Sequence, residues 1–243
     1  MKIIISPAKT MQEGHGSYAS LPAFLSRTSI LLSELKEKSA AQLMHIYGCS
    51  EKIAEVNAKR FAKMDLNKNL MKAIERYTGL QYRHIDHKSL DESAKQYLEG
   101  HLRILSAFYG VLSPVDGIVT YRLDMNSKLE IGQKRNLYAF WEDRIAGYFK
   151  GEVVINLASS EFAKMVIPYL SPKEVITCEF GKVQDGKFKT ASTLAKSARG
   201  EMVRWMAMHN VENVEDLQKF DAMNLQYDAH LSNAHRFVFV EKK

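Results

Sequence analysis

Two short, almost wholly apolar runs stand at opposite ends of this 243-residue chain, Lys2-Ile3-Ile4-Ile5 and Arg236-Phe237-Val238-Phe239-Val240-Glu241. Each reads as a buried strand, and neither can cover its own faces. The chain between them must bring both into one sheet, which predicts a single domain over residues 1–243. A third strand is predicted at Glu152 to Leu157. A hairpin follows from Glu174 to Val183 and from Lys187 to Ser192, turning at Asp185-Gly186, a pair suited to positive φ. The predicted fold class is therefore α/β (mixed α+β), a central mixed sheet built from N- and C-terminal segments around a helical middle.

That middle, from about Leu21 to Phe149, carries mainly helical patterning. Ser39 with Gln42, and Ser89 with Glu92, have capping-box spacing. Asn136 is placed to cap a helix through Leu137, Phe140, Trp141 and Ile145. The run from His101 to Gly110 reads as a helix that buries Leu102, Leu105 and Phe108 and ends at a Gly110 C-cap. Leu194 to His209 is a further predicted helix, and Gly200 inside it predicts close packing or close approach of a partner.

Composition excludes several classes. Hydrophobic residues make up 46% of the chain, enough for a sizeable core, yet no run of eighteen apolar residues exists to span a bilayer. The apolar stretch after Met1 is too short for a signal peptide, so a cytoplasmic protein with no membrane partner is expected. Cys49 and Cys178 are far apart and read as free thiols. No metal-ligand spacing and no cofactor motif is present, so neither a metal nor a cofactor is expected. The net charge of +6 is a moderate excess that is compatible with a polyanion partner.

The most informative local pattern is Leu43-Met44-His45-Ile46-Tyr47-Gly48-Cys49-Ser50-Glu51-Lys52-Ile53-Ala54. It predicts a helix ending near Ile46, a tight turn at Gly48-Cys49-Ser50 and a second helix to about Lys63. The element, about residues 39–63, is similar to a helix-hairpin-helix, whose second helix presents its unpaired N–H groups to a phosphate. At 100° per residue Lys52, Lys59 and Lys63 fall within roughly 40° of one another, a basic stripe leading from the turn. The same residues suit an ordinary αα-hairpin with Ser50 as N-cap and lysines on a solvated face; both readings stay open here. Asn57 falls on the apolar arc of that helix, either as a satisfied core amide or as a cleft-lining group.

Other polar concentrations are Ser6-Pro7-Ala8-Lys9-Thr10, directly after the first strand, where α/β sheets often bind ligands. Arg103 with Tyr109, and Tyr121 with Arg122, pair a cation with an aromatic. Lys196, Arg199 and Arg204 share one side of the late helix.

Taken in order, several segments resemble the YaaA peroxide-stress protein family. They are Ile5 to Met11, Asn57 with Arg60-Phe61, Tyr77 to Leu80, and His101 to Leu112. Farther on come Tyr121-Arg122-Leu123, Leu137-Tyr138 with Phe140-Trp141, Ile155 to Ser159, and Ala198-Arg199-Gly200 with Met202. Their collinearity over nearly the whole chain carries the resemblance. It implies a protein induced by hydrogen peroxide that limits damage from free iron. It also implies DNA binding through a helix-hairpin-helix and a positively charged cleft.

On this basis Gly48, Ser50, Lys52 and Lys59 are expected at phosphates. Lys9, Arg103, Arg122, Lys196, Arg199 and Arg204 are expected to line the cleft, with Tyr109 as a stacking platform. The expected partner is DNA, duplex or branched, bound largely without sequence choice, with a small phosphate-bearing ligand as a second candidate for the cleft. A monomer is expected. The competing expectation is an enzyme acting on a nucleotide or damaged DNA, with Lys9 as Schiff-base nucleophile and Ser6 and Asn57 orienting it.

Overall fold

A computed structural model describes residues 1–242. The strands are β1 (Lys2–Ile5), β2 (Met71–Lys72), β3 (Leu102–Ser106), β4 (Gly110–Leu112), β5 (Gly117–Ile118), β6 (Val154–Leu157), β7 (Val175–Gln184), β8 (Lys187–Lys189), β9 (Leu225–Tyr227) and β10 (Arg236–Glu241). The helices are α1 (Leu25–Lys36), α2 (Ala40–Tyr47), α3 (Glu51–Lys63), α4 (Ala73–Arg76), α5 (Leu80–Ile85), α6 (Glu92–His101), α7 (Leu137–Trp141), α8 (Ser160–Ala163) and α9 (Ser192–Met208).

The main sheet runs β4-β3-β1-β6-β7-β10-β9, with β8 folded back on β7. Its centre, β3-β1-β6-β7-β10, is parallel. The remaining pairs, β3/β4, β10/β9 and β7/β8, are antiparallel. Both terminal runs thus enter one mixed sheet, as their shared lack of self-cover requires. β1 lies at the centre because Ile3, Ile4 and Ile5 are buried on both faces, the pattern of a parallel strand sandwiched between layers. From β1 the chain goes to β3 on one side and then crosses to β6 on the other. The carboxyl ends of β1 and β6 therefore flank a topological switch point, where open α/β sheets tend to bind ligands.

The helical middle also holds strands, β2 paired with β5 and β3 with β4, and is corrected most at β3. His101 ends α6, and Leu102–Ser106 is a strand, paired in register with Ile3, Ile4 and Ile5. A strand buried on both faces loses its two-residue alternation, so its apolar spacing imitates a helix. Gly110 is not a helix C-cap. It closes the β3–β4 hairpin opposite Ser106 at φ 78°. The Ser106 hydroxyl accepts the N–H groups of Phe108 and Tyr109 in that turn.

The Ser39–Gln42 capping box forms as predicted. The second box does not. Asp91 caps α6 instead, accepting the Ala94 N–H at 2.8 Å, and Ser89 donates to the Asp86 carbonyl. Asn136 caps α7 through the Ala139 N–H, but α7 stops at Trp141, because Glu142 takes φ 51°. The turn residues Asp185 and Gly186 have φ of 53° and 70°, as the hairpin between β7 and β8 needs. Gly200 lies where α9 crosses α5. A Cβ there would sit 2.1 Å from the Gln81 carbonyl oxygen, so the glycine serves helix packing.

Candidate nucleic-acid interface

α2 ends at Gly48, whose φ of 56° is left-handed and whose N–H returns to the Met44 carbonyl. No atom stands within 4 Å of where its Cβ would be, so backbone conformation and not space selects glycine here. Ser50 has the extended backbone of an N-cap, but its hydroxyl does not bond back to the helix. The exposed start of α3 therefore leaves the Ser50 hydroxyl and the N–H groups of Glu51 and Lys52 without a bond among the described residues, while the Ile53 N–H goes to the Ser50 carbonyl. Lys52, Lys59 and Lys63 are exposed along the helix and form no ion pair among the described residues. Both predicted helices and the turn between them are present.

Buried polar groups anchor this hairpin. Asn57, 3% exposed, donates to the Ile53 carbonyl at 2.8 Å and accepts from Arg60 Nη1 at 2.9 Å. It is a satisfied core amide. Arg60 in turn reaches Glu13 at 2.9 Å, tying α3 to the loop that follows β1. The loop itself is clamped by Arg76, which is 1% exposed and donates to the carbonyls of Gln12 and Gly14.

The segment from Tyr121 to Lys128 runs beside the hairpin, with the Lys128 N–H donating to the Ile46 carbonyl at 2.9 Å. It brings Arg122 and Asp124 within electrostatic reach of Tyr47. The Tyr47 hydroxyl and the Arg122 Nε are both buried without a hydrogen-bond partner among the described residues. Burial pushes the Tyr47 phenol far up, and the Arg122 charge pulls it partly back. Asp124 takes Lys9 Nζ at 3.0 Å. Lys9, Arg122, Asp124, Tyr47 and the Gly48 turn thus share one neighbourhood.

The other expected residues do not join it. Tyr109 is 1% exposed, and its hydroxyl accepts the Val119 N–H at 3.2 Å. The stacking expectation for Tyr109 is corrected: its ring packs among Phe108 and Tyr121 in the core. Arg103 points to the amino end of β3, bonded to the carbonyls of Glu99 and Leu102 and lying 5.7 Å from the Tyr148 ring. Arg204 closes the end of α5, donating to the carbonyls of Ile85 and Asp86 and to Ser89 Oγ. Lys196 is exposed on α9. Arg199 lines a separate cavity.

The three residues considered for nucleophilic chemistry share no hydrogen bond among the described residues. Ser6 donates to Ser159 Oγ and accepts the Ser159 N–H at 2.8 Å, joining the ends of β1 and β6. The Lys9 side chain is 63% exposed and ion-paired, whereas a Schiff-base lysine works desolvated. Reading the sequence alone passed over Tyr47, Arg76 and Asp124. Tyr47 lies inside the hairpin pattern and could have been flagged there. Nothing in the spacing of Arg76 marks a carbonyl-binding arginine.

A model of the family described as peroxide stress protein YaaA matches residues 1–231. The chain belongs to the YaaA peroxide-stress family. Relatives described as UPF0246 proteins share its full length. The one from Lactiplantibacillus plantarum is 43% identical and covers 99% of each chain. Those from Pediococcus pentosaceus and Agathobacter rectalis are 42% and 41% identical, each covering 100% of this chain and 99% of the relative. Among the described residues, no helix is long and apolar enough to cross a membrane.

Proposed function

We propose that this YaaA-family chain binds DNA through its α2–α3 hairpin, gripping phosphates with little regard to sequence, and in this way limits iron-dependent oxidative damage under peroxide stress. The observation that carries the reading is the hairpin itself. Gly48 turns the chain tightly, the Ser50 hydroxyl is left without a capping bond, and three exposed lysines with no ion pair among the described residues lead away along α3. A helix start with outward N–H groups favours an anion, and a lysine row at helical spacing follows a phosphate backbone. Arg122, with its Nε buried and unpartnered beside the hairpin, supports a phosphate contact at the same place.

Phosphate contacts confer affinity that falls steeply with salt, because counterions are released. The test is fluorescence anisotropy with labelled duplex and four-way-branched DNA of unrelated sequences at low salt. The expected result is binding to all of them, weakened similarly by added salt. Absence of binding at low salt, or affinity indifferent to salt, would remove the reading.

A further inference from the structure

The main sheet has a notch where two of its strands part. β6 pairs with β7 only from Val154 to Asn156, opposite Val175 to Thr177. The chain then leaves the sheet toward α8, while β7 runs on to Gln184. A cavity of about 520 Å³ opens at this point, between β7, α8, the β8 hairpin and the first turns of α9. It lies beyond the carboxyl end of a parallel strand, and its volume suits a small organic molecule.

Its charges are unbalanced. Arg199 lines the cavity and forms no hydrogen bond or ion pair among the described residues, and its Nε is buried. Burial holds its pKa below the usual arginine range, opposed by Glu179 and Cys178. Glu179 also lines the cavity, but its carboxylate takes Arg236 Nη2 at 2.7 Å. Lys164, exposed at the rim, adds a second cation without an ion pair among the described residues. Because Glu179 is already paired with Arg236, the partly buried Arg199 guanidinium is short of counter-charge, which an anion in the cavity would supply.

The hydroxyls point to the kind of anion. Thr177 Oγ1 accepts from Asn156 at 3.1 Å, which leaves its own hydrogen to donate. Ser160 and Thr190 also line the cavity, and their hydroxyls have no partner among the described residues. Three hydroxyls and a guanidinium offer more donors than the two oxygens of a carboxylate use, and suit a tetrahedral group. The larger apolar groups of the lining are Ile167, Pro168, Phe180 and Phe188.

We propose that this cavity binds a small phosphate monoester with a flat aromatic or heteroaromatic ring, the phosphate held by Arg199 and the wall hydroxyls and the ring face against Ile167, Pro168 and Phe188. The inference goes beyond DNA binding by the hairpin and does not rest on it. Its test contains no DNA, so the two readings fail separately.

The experiment is isothermal titration of the full chain with adenosine 5′-monophosphate, uridine 5′-monophosphate, phenyl phosphate, inorganic phosphate and benzoate. At least one ester is expected to bind at one per chain, about tenfold or more tighter than inorganic phosphate or benzoate. Arg199→Gln is expected to weaken that ester about tenfold or more, with Arg199→Lys in between. If Arg199→Gln does not fold, Thr190→Val and Phe188→Ala, at the cavity's outer wall, decide, and each is expected to weaken binding several-fold. No saturable binding of any ester overturns the proposal. So does benzoate binding as tightly as the esters, or unchanged affinity in the folded variants.

Discussion

Arg76 donates five hydrogen bonds to four main-chain carbonyls, those of Gln12, Gly14, Asn69 and Ile118. It uses every N–H of the guanidinium and no carboxylate. Through it the loop after β1 is held so that Glu13 meets Arg60 on α3. Arg76→Met keeps the volume but leaves those acceptors unpaired, and is expected to lower stability by about 3 kcal/mol in urea unfolding. Asp116 is a second buried polar hub, accepting from Ser20 Oγ and the Ser113 N–H. Burial raises its pKa above the ordinary carboxylate value, against those two hydrogen bonds. The folded state therefore holds this proton more tightly than the unfolded chain. Its contribution to stability is full below the unfolded value and declines as pH rises through the raised one. The unfolding free energy of the wild type relative to Asp116→Asn, measured from about pH 3 to pH 7, should fall as pH rises, because the carboxylates with lowered pKa values elsewhere cancel in that difference.

At the scale of elements, α9 crosses α5 at Gly200, with the Gln81 carbonyl where a side chain would begin. Gly200→Ala must separate the two helices and is expected to cost about 3 kcal/mol, read as a fall in the thermal midpoint. The hairpin of α2 and α3 was legible because its marks are local: a capping box at Ser39, a left-handed Gly48 and an amphipathic run to Lys63. β1 and β10 were legible for a similar reason, since short β-rich runs at the chain ends have no helical alternative. β3 was hidden, because a strand buried on both faces has apolar residues at helix-compatible spacing and follows α6 without a break. α6 itself was found, but with the wrong cap, since Ser89 and Asp91 both precede the helix and only geometry chooses between them.

At the scale of the whole molecule, cations that look alike in the sequence have different employment in the fold. Arg204 closes α5, Arg103 folds back on its own strand, and Lys9 pairs with Asp124. Arg122 lies beside the hairpin, while Arg199 lies in the notch beyond β6. Helical spacing could place Lys196, Arg199 and Arg204 on one side of α9, but it could not show that the end of α5 would take up Arg204 while Arg199 lined the cavity beside β7. The lysines of the α3 row are exposed and form no ion pair among the described residues. The proposed DNA affinity rests on this row and on the start of α3. The direct measurement is the slope of log affinity against log salt for duplex DNA, in the wild type and in Lys52→Glu/Lys59→Glu. The double variant is expected to bind more weakly, with a slope shallower by about 2, one unit for each lost phosphate contact. An unchanged affinity and slope in a folded double variant would contradict the proposal.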